Sequence, residues 1–345
     1  MFLEFAQQLR YNLSIMTPTL REIAAKLNVA PSTVSRALAG DHGVGGARAA
    51  EICAFAKSLG YRPRPLRRLV KHTIGIVTAT PDGKISDEPY QTRLLAMSME
   101  AMGVAGWHML HEFAVRSSPE LPAMVRENLV DGLVFTGMPS IGLCEALRRL
   151  GIPAISFNDL PSRCGLPCIS ANGVDSMRKL VDDLVGMGHK NIAYVSSLTS
   201  FPAVAARAEA FAEAARQHRI KSRTITTNWI AIQQGQVATR QLMARKPRPT
   251  AVIYSTDRLA VGGLIEFARL GLSIPSDISV AAFDNTGVCA FSDPAITCID
   301  LNQGEMVTRA FDLLREAIES GKPLEPIGLT VASSIIWRAS CAAAP

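Results

Sequence analysis

Residues 19–38 read Thr19-Leu20-Arg21-Glu22-Ile23-Ala24-Ala25-Lys26-Leu27-Asn28-Val29-Ala30-Pro31-Ser32-Thr33-Val34-Ser35-Arg36-Ala37-Leu38. The first four residues have the form of a capping box: a threonine hydroxyl accepts from free amides of the first turn, and a glutamate three residues on reaches back. Leu20, Ile23, Ala24 and Leu27 then share one helical face. Asn28-Val29-Ala30 interrupts the period, and Pro31 suits the first position of a second helix, where its missing N–H costs nothing. Val34, Ala37 and Leu38 form the inner face of that helix, leaving Ser32, Thr33, Ser35 and Arg36 outward. Two short helices joined by a tight turn, the second displaying small polar side chains and an arginine, predict a helix-turn-helix with its recognition helix. One local rule is broken, since Ala30 stands where Ser or Asn would cap more strongly. A third helix is expected from about Ala47 to Leu59, with Ala50, Cys53, Ala54 and Ala56 or Lys57 stepping around it and Gly60 stopping it.

Charge supports a polyanion partner for this segment. Met1 to His72 holds 11 Lys and Arg against 4 Asp and Glu, a balance of +7 in a chain of 345 residues whose net charge is +6. The remaining 25 basic and 26 acidic residues nearly cancel. A basic head on a neutral body suits nucleic acid, although a solvated basic surface would give the same count. At 48% hydrophobic and 19% charged residues, the chain describes a globular protein too long for one ordinary domain. No apolar run approaches the roughly 18 residues of a membrane span. Met1 to Ser14 carries Glu4, Gln7, Gln8 and Arg10, which argues against a secretory leader. The seven cysteines are scattered, as expected of reduced thiols. A cytoplasmic protein is expected.

From Thr73 the pattern changes. Short apolar runs (Thr73–Val77, Gly106–Leu110, Gly132–Phe135, Pro153–Phe157, Asn191–Val195, Ala251–Tyr254, Ile278–Phe283) alternate with stretches of helical period (Ser140–Leu150, Asn172–Met187, Pro202–Gln217, Arg258–Leu270). Alternating β and α units predict parallel sheets covered by helices on both faces. There are too many units for one sheet, so two lobes are expected, with a ligand cleft at the C-terminal ends of the strands.

The head, with Leu59-Gly60-Tyr61-Arg62-Pro63 after it, resembles the DNA-binding head of the LacI/GalR family of bacterial regulators. The resemblance continues through the body: Gly188-His189-Lys190-Asn191-Ile192-Ala193, then Arg207-Ala208-Glu209-Ala210-Phe211 with Ala210 in place of the family's glycine. Pro249-Thr250-Ala251, Thr256-Asp257, Ile278-Ser279-Val280, Phe283-Asp284-Asn285, Asp293-Pro294-Ala295-Ile296-Thr297 and Trp337-Arg338-Ala339-Ser340 follow in family order. It spans about Thr17 to Ser340. It implies an α-helical helix-turn-helix domain at 17–62, a hinge at 63–72 and a two-lobed, periplasmic-binding-protein-like sensor at 73–345. Lobe one would comprise 73–165 and 300–321, and lobe two 166–299 and 322–345, with three crossings between them. Residues 1–16 match nothing and are expected to be a dispensable extension, the head proper starting near Met16.

By the same resemblance, Pro31, Ser32 and Arg36 face base edges in the major groove, while Thr19, Thr33 and Ser35 are placed for phosphates. The effector pocket would include Asn158, Arg207, Trp229 and Asp284, with Thr256 and the Thr78–Thr80 loop nearby. Arg207 supplies a planar fork, Asp284 an acceptor for hydroxyls, Trp229 a flat face, and Asn158 a donor and an acceptor. Arg207 as a helix salt bridge and Trp229 as ordinary core remain open. In the family, a segment after Tyr-x-Pro wedges a leucine into the minor groove. Here Arg64-Pro65-Leu66-Arg67-Arg68-Leu69-Val70-Lys71-His72 is several residues shorter than usual. Leu66 or Leu69 would be the wedge, with Arg67 and Arg68 on phosphates, or the segment is a plain basic linker.

Other signals do not hold. Cys164-x-x-x-Cys168 has no second ligand pair for zinc, and His108 and His111-Glu112 fall on an expected strand whose residues alternate in direction. Gly43-Val44-Gly45-Gly46 follows no strand, and neither a phosphate loop nor a nucleophile elbow is present. His189 is expected to hydrogen-bond within its turn. The expected partners are therefore double-stranded operator DNA, a small sugar-like effector and a second copy of the chain. No cofactor, metal, membrane or enzymatic role is expected. A solute-binding protein for uptake and an enzyme on an α/β scaffold are the rival readings. The missing leader and the basic head oppose the first, and the lack of a nucleophile, base and orienting set opposes the second.

Overall fold

A computed structural model describes residues 19–38, 44–59, 61, 71–83, 89–197 and 201–345. Its contacts divide the chain into two units, Met1–Leu69 and Val70–Pro345, taken here in turn.

The first unit holds α1 (Leu20–Lys26), α2 (Pro31–Leu38) and α3 (Gly46–Ser58). The capping box forms as its spacing requires. Thr19 N donates to Glu22 Oε2 at 2.7 Å, and Glu22 N to Thr19 Oγ1 at 3.3 Å. The bond from Thr19 N, with the Thr19 hydroxyl beside it, lowers the pKa of the Glu22 carboxyl. Ile23, Ala24, Val34, Ala37, Val44, Ile52 and Ala56 make the core. One expectation holds only in part: Ala56 is buried, but Ala50, Cys53 and Ala54 are exposed, and Ile52 is the other buried residue of α3. The bulky Ile52 and Phe55 set the phase of the helix, because alanines gain too little by burial to decide it.

The second unit contains two six-stranded sheets. The first is ordered β11-β5-β4-β3-β1-β2, from β1 (Thr73–Thr80), β2 (His108–Val115), β3 (Gly132–Thr136), β4 (Ala154–Phe157), β5 (Cys168–Ala171) and β11 (Gly328–Val331). The second is ordered β12-β10-β9-β8-β6-β7, from β6 (Asn191–Ser196), β7 (Lys221–Thr226), β8 (Ala251–Tyr254), β9 (Ser279–Phe283), β10 (Thr297–Asp300) and β12 (Ser334–Ile336). Every pairing is parallel except β10 with β12. The central strands β1, β3, β4, β8 and β9 are wholly buried, as covered parallel strands must be. The edge strands β2 and β7 alternate toward solvent.

The chain crosses between sheets three times: after β5, after β10 and after β11. The expected lobe limits need correction at two of these points. Ser156 and Phe157 of β4 pair with Cys168 and Ile169, and β11 pairs with β5, so residues 166–172 and 328–331 belong to lobe one. Both strands are four residues long, and no periodicity in so short a run tells which sheet it will join.

Around the sheets lie α4 (Pro89–Val104), α6 (Ile141–Leu150), α8 (Gly173–Gly186), α9 (Pro202–Gln217), α10 (Ile232–Ala244), α11 (Asp257–Arg269) and α13 (Gln303–Ser320). The shorter α5 (Ala123–Arg126), α7 (Pro161–Cys164) and α12 (Gly287–Phe291) complete the set. Among the described residues, no helix is long and apolar enough to cross a membrane. His189 is fully buried, with Nδ1 2.9 Å from Thr250 Oγ1 and Nε2 3.1 Å from the Ala342 carbonyl. It therefore ties its turn to the C-terminal tail rather than bonding within the turn, and burial depresses its pKa.

Candidate functional site

On α2 the sequence period puts Pro31, Ser32 and Arg36 on the exposed face, with Thr33 and Ser35 half-buried and Val34 and Ala37 in the core. Thr19 is exposed, but its hydroxyl is occupied by the capping box. The face is thus a row of one apolar, one hydroxyl and one guanidinium side chain, of a size that fits the edges of bases. Leu66, Arg67 and Leu69 lie outside the described residues, as do Met1 to Pro18.

In the second unit, the strands place a polar set at their C-terminal ends, where parallel α/β sheets build ligand sites. Asn158 follows β4, Ser197 follows β6, Ser255 and Thr256 follow β8, and Asp284 follows β9. Asn158 and Asp284 have left-handed backbones, with φ of 57° and 86°, which non-glycine residues adopt only where the surroundings impose it. Arg207 on α9 is 5% exposed, its guanidinium carbon 4.6 Å from the centre of the Phe283 ring, a cation–π geometry. Its Nε has no hydrogen-bond partner. Gly173, which opens α8, makes room for it: a Cβ there would stand 2.5 Å from Arg207 Nε.

Other buried polar atoms near these loops are also unpartnered: Asn158 Oδ1, Gln303 Oε1, and the hydroxyls of Ser197, Ser255 and Tyr194. Native interiors leave few such atoms, so a group of them marks a place where something else supplies the bonds. Burial raises the Tyr194 phenol to about 12. A cavity of about 210 Å³ lies beside Asn158, lined also by Ser170, Gly173, Val174, Ala203 and Ala206.

The expected pocket residues differ in their surroundings. Thr256 caps α11, its hydroxyl accepting from Leu259 N at 3.3 Å, so its first role is local. Trp229 is 65% exposed, which removes the ordinary-core reading and leaves its ring on the surface. The Thr78–Thr80 segment is buried, and Thr78 Oγ1 lies 2.9 Å from His111 Nε2. Arg207 makes no salt bridge of the kind left open for it among the described residues, Asp284 is 7% exposed, and Asn158 is held by a neighbour.

That neighbour, Tyr90, is a residue that sequence reasoning missed. Asn158 Nδ2 donates to its hydroxyl at 2.8 Å, and Gln303 Nε2 donates to its carbonyl at 2.9 Å. Desolvation raises the Tyr90 pKa, opposed in part by the hydrogen bond from Asn158. One helical turn on, Arg93 Nη1 donates to the Asn285 carbonyl of lobe two at 2.5 Å. Asn285 is itself held by Arg338 and Asp300, each at 2.7 Å. Arg116 of lobe one stands 4.7 Å from the ring centre of Phe201 in lobe two. Neither Tyr90 nor Gln303 sits in a motif, and no local signal marks them.

Residues 181–341 match a family model described as a periplasmic binding protein-like domain. The HTH-type transcriptional regulator reg1 of Streptomyces lividans is 27% identical over 344 residues, covering 96% of this chain and 98% of that protein. The HTH-type transcriptional repressor CytR of Escherichia coli K12 is 26% identical, over 87% of this chain and 90% of that protein. A crystal structure of the lac repressor dimer bound to operator and the anti-inducer ONPF superposes with a TM-score of 0.67 at 21% identity, covering 94% of this chain and 99% of that one. That last likeness is one of fold.

Proposed function

We propose that this chain, which belongs to the LacI/GalR family of helix-turn-helix regulators, is a cytoplasmic transcriptional repressor that binds operator DNA as a homodimer and releases or tightens it in response to a small polar effector. The homologues are transcriptional regulators and repressors, which supports the general role. The observation that carries the DNA reading is the exposed Pro31–Ser32–Arg36 face on a helix whose other side is core. In this reading Arg36 bonds a guanine in a bidentate fashion, Ser32 either class of base, and Pro31 a thymine methyl, with Thr19, Thr33 and Ser35 near phosphates. Leu66 or Leu69 would wedge the minor groove, flanked by Arg67.

The effector reading rests on the unpartnered polar atoms around Arg207, Asn158 and Gln303, with Asp284 beside them. A molecule bound between lobes changes DNA affinity only by binding one lobe arrangement better than another. Thr256 and Trp229 would touch it at the rim. A sugar or related metabolite supplies the hydroxyls these acceptors call for.

The test begins with selection of a DNA site from a random pool by the full chain. Arg36→Ala should then cost about 1–3 kcal/mol and blunt preference at one position of that site. Equal weakening on selected and random DNA would remove Arg36 from base reading.

A further inference from the structure

We propose that the molecule bound in this cleft carries an anionic group, a carboxylate or a phosphate ester, held by Arg207 and by the first amides of α8. The proposal deepens the effector reading and rests on it.

Arg207 is the first observation. It is 95% buried by its 5% exposure, stacked on Phe283, with an Nε that meets no acceptor. A buried guanidinium N–H without a hydrogen-bond partner is disfavoured, which suits an acceptor that comes from outside the chain. A planar fork is matched best by a carboxylate or phosphate.

The helices supply the second. α8 has 14 residues and α9 has 16, and both open on the cavity: Asn172, Gly173 and Val174 of one, Pro202, Ala203 and Ala206 of the other. The first amides of a helix have no partner within it and lie at the positive end of its dipole. The Asn172 side chain satisfies only Asp175 N and leaves the amides of Gly173 and Val174, whereas α9 opens on Pro202 and its Val204 and Ala205 amides donate to the Phe201 carbonyl. The α8 end, whose Gly173 packs against Arg207 Nε, forms an anion site beside this buried cation.

Two nearby carboxylates are already committed: Asp159 on the cavity wall to Arg163 and to Leu160 N, and Asp175 to Arg178 and Asn172. Asp284, buried in the same region, suits a hydroxyl of the bound molecule. The unpartnered acceptors Asn158 Oδ1 and Gln303 Oε1 suit hydroxyl donors on the same molecule. The class is therefore a polyhydroxylated acid or phosphate ester, and a cavity of about 210 Å³ restricts it to a small one.

The experiment measures thermal stability and calorimetric binding of the full chain with matched probes. These are glucose against gluconate, ribose against ribose 5-phosphate, and inorganic phosphate, all at equal ionic strength. At least one anionic probe should raise Tm while its neutral counterpart does not, and the gluconate and phosphate arms distinguish the two anion chemistries. Arg207→Gln should weaken that binding about tenfold or more, with partial rescue by Arg207→Lys. Gly173→Ala, whose methyl would stand 2.5 Å from Arg207 Nε, should give a similar loss without removing the charge. The Tm of each variant without probe reports that it is folded. Neutral sugars binding as well as their acids, and losing affinity in Arg207→Gln, would overturn the anionic group and leave the cleft reading standing. Anion binding unaffected by both variants would overturn the two together. Absence of any effect of anionic probes at millimolar concentration would overturn the anion proposal.

Discussion

Arg36 stands on the exposed face of an eight-residue helix with Pro31 and Ser32 beside it, whereas Arg207 is buried against Phe283 among groups from several distant segments. Both are arginines on helices, yet their surroundings arise differently. The helix that carries Arg36 is set within a few residues of it: Pro31 starts the helix, and Val34 and Ala37 mark which side faces inward. The setting of Arg207 needs Gly173 to leave space, Phe283 to offer a ring, and Asn158, Tyr90 and Gln303 to close the region from lobe one. A surface made by one helix is specified locally, while a cleft made by loops is specified by topology.

The largest effect expected from this contrast is in the head core. Ile52 is fully buried in a unit of few core residues, so Ile52→Ala should cost about 2–5 kcal/mol and unfold the head. Calorimetry or limited proteolysis should find the transition of residues 70–345 unchanged. A matching loss in the second unit would break the distinction between a locally specified head and an independent sensor.

Next comes Arg207→Ala, which should lose about 1.5–3 kcal/mol of effector binding, the usual worth of a hydrogen bond to a charged group, while leaving effector-free DNA affinity as it was. Titration of DNA binding with and without effector separates the two, and a loss of DNA affinity alone would show that the arginine serves the fold.

Thr256→Ala sharpens the comparison further, because Thr256 follows β8 at the end where the effector is proposed to bind and also caps α11. Loss of the cap should lower stability by about 1 kcal/mol in denaturant unfolding. If effector affinity falls while stability does not, Thr256 is a ligand contact before it is a cap.

The smallest effect concerns Asp257, buried at 2% exposure and accepting from Thr286 N at 3.0 Å and from the Thr286 hydroxyl. Desolvation raises its pKa above the unfolded value. A carboxyl raised in this way favours the folded state most when protonated, and that contribution is lost as pH rises through the folded pKa. Asp257→Asn, which keeps an acceptor, should therefore flatten the fall of stability with rising pH above the ordinary carboxylate range. Parallel pH profiles for the two proteins would show that the hydrogen bonds from Thr286 outweigh the desolvation.

The sequence by itself determined the helix-turn-helix, down to the capping box of Thr19 and Glu22 and the outward row of α2, because those features depend on spacings of three and four residues. It also determined the alternation of strands and helices, since buried parallel strands write themselves as continuous apolar runs. It singled out Asn158, Arg207 and Asp284 as pocket candidates only through likeness to a family, and it gave no hint of Tyr90 or Gln303. Tertiary structure alone decided that β5 and β11 join the first sheet, that Trp229 faces solvent, and that Ile52 sets the phase of α3. Those outcomes depend on which surfaces meet after the chain has crossed three times between sheets. Contacts between residues far apart in sequence leave no period for a local reading to detect.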